Sequence, residues 1–252
     1  MPRGLANLYD AGSKIPLIIS WPGNYKGGRR INDFVSLNDF APTFLELAGV
    51  PVPKEMTAKS LLPLLKSEKE GRIDEERDFF VMARERHAYV RQNGLGYPGR
   101  AIRTDDYLYI KNYESDRWPA GDPPLFGDVD AHMLQYPCPS KLYILEHEND
   151  KNIKPYFDLS FSKRPTEELY DLAKDPDQIN NVANDPAYKA IKEKIAKRMT
   201  DYLVKTGDPR ETDVDFNWDT VPYYMEGDKY PRPGEKAIEA LDLEEEYDYT
   251  SN

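Results

Sequence analysis

The chain has 252 residues, 39% hydrophobic and 31% charged, which is enough to bury the core of one large domain or two small ones. Its net charge of −11 argues against nucleic acid as a partner, because neutralising phosphates requires a basic face. No run of residues reaches the ~18 apolar positions that a membrane span needs, and the single cysteine, Cys138, excludes an intrachain disulfide or a cysteine-rich metal site.

The N-terminal residues predict an α/β arrangement. Residues 15–21 form an apolar, β-branched run that is typical of a buried strand. Residues 36–48 predict a helix, because Phe40, Phe44 and Leu47 recur at intervals of four and three. A buried strand followed by an amphipathic helix is typical of α/β folds.

The middle of the chain predicts several short strands without intervening helices. Four strands are predicted, at residues 78–83, 100–104, 107–111 and 168–172. The second and third form a hairpin that turns at Asp105-Asp106. Strands connected in this way favour an antiparallel sheet. The intervening residues 113–165 are rich in proline and aromatic residues and predict irregular structure.

A C-terminal helix and a charged stretch complete the predicted organisation. Residues 186–205 carry apolar side chains on one helical face, and Asp185 can cap the N-terminus of that helix. Residues 66–77 are highly charged and mark a boundary. The chain therefore divides into an α/β unit at residues 1–66, a smaller antiparallel α+β unit at residues 78–206 and an acidic aromatic tail at residues 207–252.

Motifs in three places resemble the sulfatase family. Residues 3–12, which run through Tyr9-Asp10 to Gly12, resemble a sulfatase stretch in which Gly-Lys precedes an aromatic–acidic pair and a glycine. The helix that begins at Asp39 is similar to the family's D-x-x-P-T helix. Residues 168–181 resemble the family's C-terminal motif, Glu-Leu-Tyr-Asp-Leu followed by Asp-Pro and Asn.

The resemblance is greatest to the N-sulfoglucosamine sulfohydrolase-like branch and spans roughly residues 1–205. Residues 85–87, 95–98 and 116–121 carry the similarity to this branch. The resemblance implies the α/β fold of the alkaline phosphatase superfamily. Residues 1–66 are then the C-terminal part of the sulfatase-like catalytic sheet, and residues 78–206 are the smaller antiparallel subdomain with its C-terminal helix.

The same resemblance implies a hydrolase of sulfated carbohydrate, acting on a sulfate ester or on N-sulfoglucosamine. In this family a formylglycine, made from Cys or Ser in a C/S-x-P-x-R motif, attacks sulfur, and a calcium ion is held by acidic residues with an amide or a histidine. Glycosaminoglycan degradation in the periplasm or after secretion is the implied setting, although the sequence shows no signal peptide.

The formylglycine and metal motifs of the family are not found in this sequence. Cys138 is followed directly by Pro139, and Leu142 stands where the motif needs arginine. Leu5 occupies the position of the family's sulfate-facing lysine and cannot stabilise an anion. We therefore expect a fragment that begins at an internal methionine, has no catalytic residue or metal ligand of its own, and is inactive alone.

The remaining candidates for substrate binding lie after the first predicted strand of the smaller unit. They are Glu85, Arg86, His87 and Arg100, which together can bind a sulfated or carboxylated sugar. The alternative is a solvated strand end with local charge pairing.

The function also has alternatives. The chain can be a non-catalytic remnant that binds glycans or a partner, or a truncated product with no independent activity. Its partners would then be the missing N-terminal half or a second copy, because residues 15–21 lack strand neighbours and exposed edges favour association.

Overall fold

A four-stranded antiparallel sheet organises the computed structural model, which describes residues 3–4, 6–128, 138–213, 215–222 and Glu239. The strands lie in the order β1-β2-β3-β4. Their bounds are β1 (Phe79–Arg84), β2 (Gly99–Thr104), β3 (Tyr107–Asn112) and β4 (Glu167–Asp171). The predicted fold class, mixed α/β with an antiparallel sheet, is confirmed.

The register of the sheet separates two apolar faces. Ile102 on β2 pairs with Tyr109 on β3, which pairs with Leu169 on β4, and this row points to one face. Leu108 and Tyr170, which are also paired, point to the other. Successive side chains of a strand alternate between faces, so both rows are buried only because both faces of the sheet are covered.

Helix α6 (Lys189–Thr206) covers the first face. Its residues Ile195, Met199 and Leu203 are buried there, at intervals of four. The helix follows a 3-10 turn, Pro186–Tyr188, in which Asp185 accepts a hydrogen bond from the backbone N–H of Ala187 at 2.9 Å. The predicted helix and its N-terminal cap are both confirmed.

The N-terminal segment covers part of the second face. Tyr9, which precedes the short helix α1 (Asp10–Ser13), is 1% exposed, and its hydroxyl donates to Glu168 Oε2 at 2.7 Å. Asp10 forms an ion pair with Arg103 of β2 at 2.9 Å. Gly12 is required for this packing, because a Cβ there would lie 2.2 Å from the Gly4 carbonyl oxygen.

Five further helices occur among the described residues. They are α2 (Phe40–Leu47), α3 (Leu62–Lys66), α4 (Pro139–Glu146), α5 (Lys154–Ser160) and α7 (Pro209–Thr212). Helices α4 and α5 lie within residues 113–165, which the sequence predicts to be irregular. None of the described helices is long and apolar enough to cross a membrane.

Helix α2 confirms the prediction for residues 36–48, but its apolar stripe is not buried. Phe44 is 64% exposed and Leu47 is 41% exposed. The helix is held by the opposite side, where Asp39, at its start, forms a buried ion pair with Arg77 at 2.8 Å. Ser36 closes a capping box with Asp39 at the 3-10 turn Leu37–Asp39.

The predicted buried strand at residues 15–21 is wrong for this structure. These residues are extended, but they belong to no strand, and Ile18 is 90% exposed. A strand is stable only where its N–H and C=O groups pair with a neighbour, and no described strand lies beside this segment. The division into units at residues 1–66, 78–206 and 207–252 stays a prediction.

Candidate functional site

The four residues predicted to bind substrate lie near the end of β1. Glu85, Arg86 and His87 follow directly after Arg84, the last residue of the strand. Arg100 lies on the neighbouring strand β2, where it pairs with Ala83. The antiparallel pairing therefore brings all four to one end of the sheet, although their side chains take different roles.

Glu85 and Arg100 belong to a network of ion pairs. Arg100 contacts Glu85 at 2.8 Å and Asp208, before α7, at 2.7 Å. Arg210 of α7 contacts the other oxygen of Glu85 at 2.6 Å. Because the Arg100 side chain is only 3% exposed, its guanidinium is occupied by these carboxylates. The network joins the sheet to α7, which is the local charge pairing that the sequence left open as an alternative.

The charges of this network stabilise one another. Although burial opposes ionisation, hydrogen bonds from Arg100 and from the backbone N–H of Arg210 lower the pKa of Asp208. Burial disfavours the charged form of Arg100, yet Asp208 and Glu85 raise its pKa. Both groups are therefore charged in the folded chain at neutral pH.

Arg86 ties two backbone segments together. Its guanidinium donates to the carbonyl oxygen of Gly94 at 2.8 Å and to that of Val221. Nearby, Asp219 accepts from the backbone N–H of Gly96 at 2.9 Å and forms an ion pair with Arg117 at 2.8 Å. These bonds fasten residues 215–222 beside the loop that follows β1.

His87 presents its ring to solvent. Its side chain is 43% exposed, whereas that of its partner Asp128 is only 3% exposed. His87 Nδ1 lies 2.7 Å from Asp128 Oδ1, and the nitrogen is the donor because an ionised carboxylate can only accept. Of the four predicted residues, His87 has the side chain best placed to meet a ligand.

Asp128 is the residue of this candidate site that the sequence did not indicate. Besides His87, its carboxylate forms ion pairs with Arg84 and, at 3.5 Å, with Arg91. The side chains of Arg84 and Arg91 are 9% and 1% exposed. Asp128 lies 41 residues after His87, in a stretch predicted to be irregular, and no motif surrounds it.

The electrostatics keep the imidazole neutral at neutral pH. Burial, together with the positive charges of Arg84 and Arg91, lowers the pKa of His87 from its ordinary value of 6.5. With Nδ1–H directed to Asp128, Nε2 is left as a hydrogen-bond acceptor. A neutral His87 can accept a bond from a sugar hydroxyl, and a protonated His87 can donate to an anionic oxygen.

The described residues do not fit the calcium ion or the formylglycine that the family implies. No group of three or more His, Cys, Asp or Glu side chains in the described ranges is arranged to hold a metal ion. Asp105, in the β2–β3 turn, is paired with Arg72 at 2.6 Å. Cys138 is a partly buried thiol at the start of α4. Leu5, at the predicted lysine position, lies outside the described residues.

Comparisons with known proteins identify the chain's relatives. Residues 6–122 match the family model described as N-sulphoglucosamine sulphohydrolase, C-terminal. An ulvan-active sulfatase from Formosa agariphila is 32% identical over 213 residues, which are 81% of this chain and 36% of that protein. N-sulphoglucosamine sulphohydrolase from Homo sapiens is 26% identical over 226 residues, 82% of this chain and 40% of that protein.

The chain therefore spans well under half the length of these two relatives. A solved protein in complex with its substrate D-glucosamine-2-N,6-O-disulfate is 20% identical, with a TM-score of 0.42 over 69% of this chain and 25% of that chain. That structural likeness is too weak to bear on the site. The sequence matches support a likeness to the C-terminal part of sulfatases, which is the part that the matching family model describes.

Proposed function

We propose that the chain serves in the hydrolysis of sulfated carbohydrate, either a sulfate ester or N-sulfoglucosamine, and that its own contribution is to bind the sugar. The proposal is supported by the named activities of its relatives, a ulvan-active sulfatase and N-sulphoglucosamine sulphohydrolase. The observation that carries it is the exposed His87 ring, held by the buried Asp128 beside two buried guanidinium groups.

The geometry suits a partly anionic sugar. Asp128 fixes the orientation of the His87 ring through Nδ1 and leaves Nε2 without that bond. Because the ring is already held, binding costs less side-chain freedom. Arg84 and Arg91 make the surroundings of the ring positive, which favours an approaching sulfate. His87 therefore supplies a hydrogen bond of fixed direction, and the two buried arginines supply a positive electrostatic potential.

The chemistry of sulfate removal is assigned to residues outside those described. Calcium and a formylglycine are expected for the whole enzyme, and no described residue fits either group. The 252-residue chain alone is therefore proposed to be inactive. A periplasmic or secreted location is part of the same proposal, taken from the resemblance to the family.

The sugar-binding role can be tested by calorimetric titration with glucosamine N-sulfate, using unsulfated glucosamine as the comparison ligand. We expect binding of the sulfated sugar and a loss of roughly tenfold in affinity for His87→Gln at neutral pH, the effect of one hydrogen bond from a sugar hydroxyl to Nε2. The matched control is His147→Gln, because His147 lies on a different element, where its Nδ1 is 2.9 Å from the carbonyl oxygen of Tyr143 and its ring stacks on the Tyr143 ring. Equal affinity of His87→Gln and the unsubstituted chain would contradict the assignment.

Turnover gives the second test. An arylsulfate or N-sulfoglucosamine assay of the purified chain, with added calcium, is expected to release no sulfate above background. Sustained release at a rate proportional to chain concentration would show that reacting groups are present, and the division of roles proposed above would fail.

A second candidate function is binding of a protein partner, and the exposed segment at residues 15–21 favours it. Ile15, Ile18 and Trp21 are 60%, 90% and 40% exposed, although apolar side chains of this size are normally covered. The partner would be the N-terminal half of a sulfatase or a second copy of this chain. Light scattering of the purified chain tests this, because a monodisperse monomer that melts cooperatively would contradict it.

A further inference from the structure

A small cavity adjoins the His87 site through Arg84. Its volume is about 10 Å³, and the polar residues Arg84, Tyr97, Arg164 and Asn112 are among those that line it. Such a volume accommodates a single particle about the size of a water molecule. Leu8 and Ile110 close the apolar part of the wall.

Two donors of residues that line this cavity are buried without a partner among the described residues. They are the Nε–H of Arg84 and the hydroxyl of Tyr97. The Arg84 side chain is 9% exposed and Tyr97 is 2% exposed, so bulk water does not satisfy either donor. Buried polar groups in native proteins are nearly always bonded, which indicates that something accepts these two hydrogen bonds.

Positive charge exceeds negative charge around the cavity. Arg84 shares the single carboxylate of Asp128 with Arg91 and His87. Arg164 forms no ion pair with any carboxylate of the described residues; its Nη2 donates to the amide oxygen of Asn7 at 3.0 Å. The excess of positive charge affects the ionisation of Arg84. Burial, together with the charges of Arg91 and Arg164, lowers the pKa of Arg84 to about 9.

Glu168 does not offset this excess by direct contact. Its carboxylate accepts hydrogen bonds from the hydroxyls of Tyr9 and Tyr170 and from the side-chain amide of Asn112, all within 2.8 Å. Those three donors are neutral, so Glu168 acts on the arginines only through space. The cavity thus combines unpartnered donors, surplus positive charge and room for one small particle.

We propose that this cavity binds one small monovalent anion of the halide class, held by Arg84, Tyr97 and Arg164. A halide accepts several hydrogen bonds at once and neutralises a guanidinium charge that a water molecule would leave uncompensated. A tetrahedral oxyanion such as sulfate is excluded by the size of the cavity. The bound anion fixes Arg84, which in turn holds Asp128 and so the ring of His87.

The proposal is tested by thermal melting of the full chain in increasing sodium bromide, with sodium gluconate added to keep the ionic strength constant. We expect a melting temperature that rises and saturates with bromide and stays level in gluconate alone. Tyr97→Phe removes one donor and keeps the ring, so its half-saturating bromide concentration is expected to be roughly tenfold higher. Tyr143→Phe, at a side chain that is 51% exposed, is the control and should match the unsubstituted chain.

A crystal of the unsubstituted chain grown in bromide supplies a readout that does not depend on any variant. An anomalous scattering peak between Arg84, Tyr97 and Arg164 is the expected result. A melting temperature that does not respond to bromide, or a cavity that shows no anomalous peak and holds water, would overturn the proposal. An equal bromide response of Tyr97→Phe and Tyr143→Phe would overturn it as well.

Discussion

The sheet with α6 and the segment from residue 15 to the end of α2 differ in how their apolar side chains are covered. Ile102, Leu108 and Leu169 in the sheet are 0% exposed, because α6 packs on one face and Tyr9 on the other. Ile18 and Phe44 in the N-terminal segment are 90% and 64% exposed. Similar apolar residues therefore contribute very differently to stability, according to whether another element lies against them.

The N-terminal segment is instead held to the sheet by polar contacts. Arg77, just before β1, donates to the Asp39 carboxylate at 2.8 Å and to the carbonyls of Lys59 and Ser60 at 2.8 and 3.0 Å. The Asp39 and Arg77 side chains are 8% and 6% exposed. A buried ion pair with this many hydrogen bonds fixes α2 beside β1 without covering the outer face of the helix.

The largest expected effect comes from breaking that attachment. Arg77→Met should lower the free energy of unfolding by ~3–5 kcal/mol, because it leaves the Asp39 carboxylate buried without its cation. Urea denaturation measures the change. The control Lys59→Met removes the surface pair with Glu76, whose side chains are 49% and 82% exposed, and should cost at most ~1 kcal/mol. Similar losses in the two variants would show that the attachment does not depend on Arg77.

The second prediction compares the two regions directly. Leu169→Ala should lower the free energy of unfolding by ~2–5 kcal/mol, because Leu169 is buried between β3 and α6 and leaves a cavity. Ile18→Ala, at a side chain that is 90% exposed, should change it by less than ~0.5 kcal/mol. A large loss for Ile18→Ala would mean that residues 15–21 are covered in solution, most simply by a partner.

The smallest effect concerns pH. The folded chain lowers the pKa of Asp208 below its unfolded value of ~3.9, so its contribution to stability is present above that value and is lost as pH falls through the folded pKa. Asp208→Asn should therefore be less stable than the unsubstituted chain at pH 7, with the difference shrinking below about pH 4. Melting curves between pH 7 and pH 3 give the comparison. A constant difference over that range would show that the charge of Asp208 is not what stabilises the network.

Much of the fold follows from local pattern. The β2–β3 hairpin was predictable because residues 100–104 and 107–111 flank a two-residue acidic turn, and α6 because its apolar stripe is long and capped. Residues 15–21 show where prediction from local sequence pattern fails. Their sequence favours a strand, yet strand formation depends on a neighbour that no local feature of the sequence specifies.

The candidate site was predictable only in part. His87 was found because it belongs to a cluster of charged residues directly after a predicted strand. The different roles of the neighbouring residues could not be predicted from the sequence. Asp128, which contacts His87, and Asp208, which contacts Arg100, come from distant parts of the chain. Which of several charged side chains is paired and which faces solvent is decided by tertiary contacts.

The most direct test of the proposed function is an NMR titration of the imidazole groups with glucosamine N-sulfate, made on the 252-residue chain and followed for free sulfate. The chain has three histidines, so that each signal can be assigned by substitution. We expect a saturable shift of the His87 signal, a small or absent shift for His147, and no release of sulfate. A His87 signal that does not respond to the sulfated sugar would contradict it.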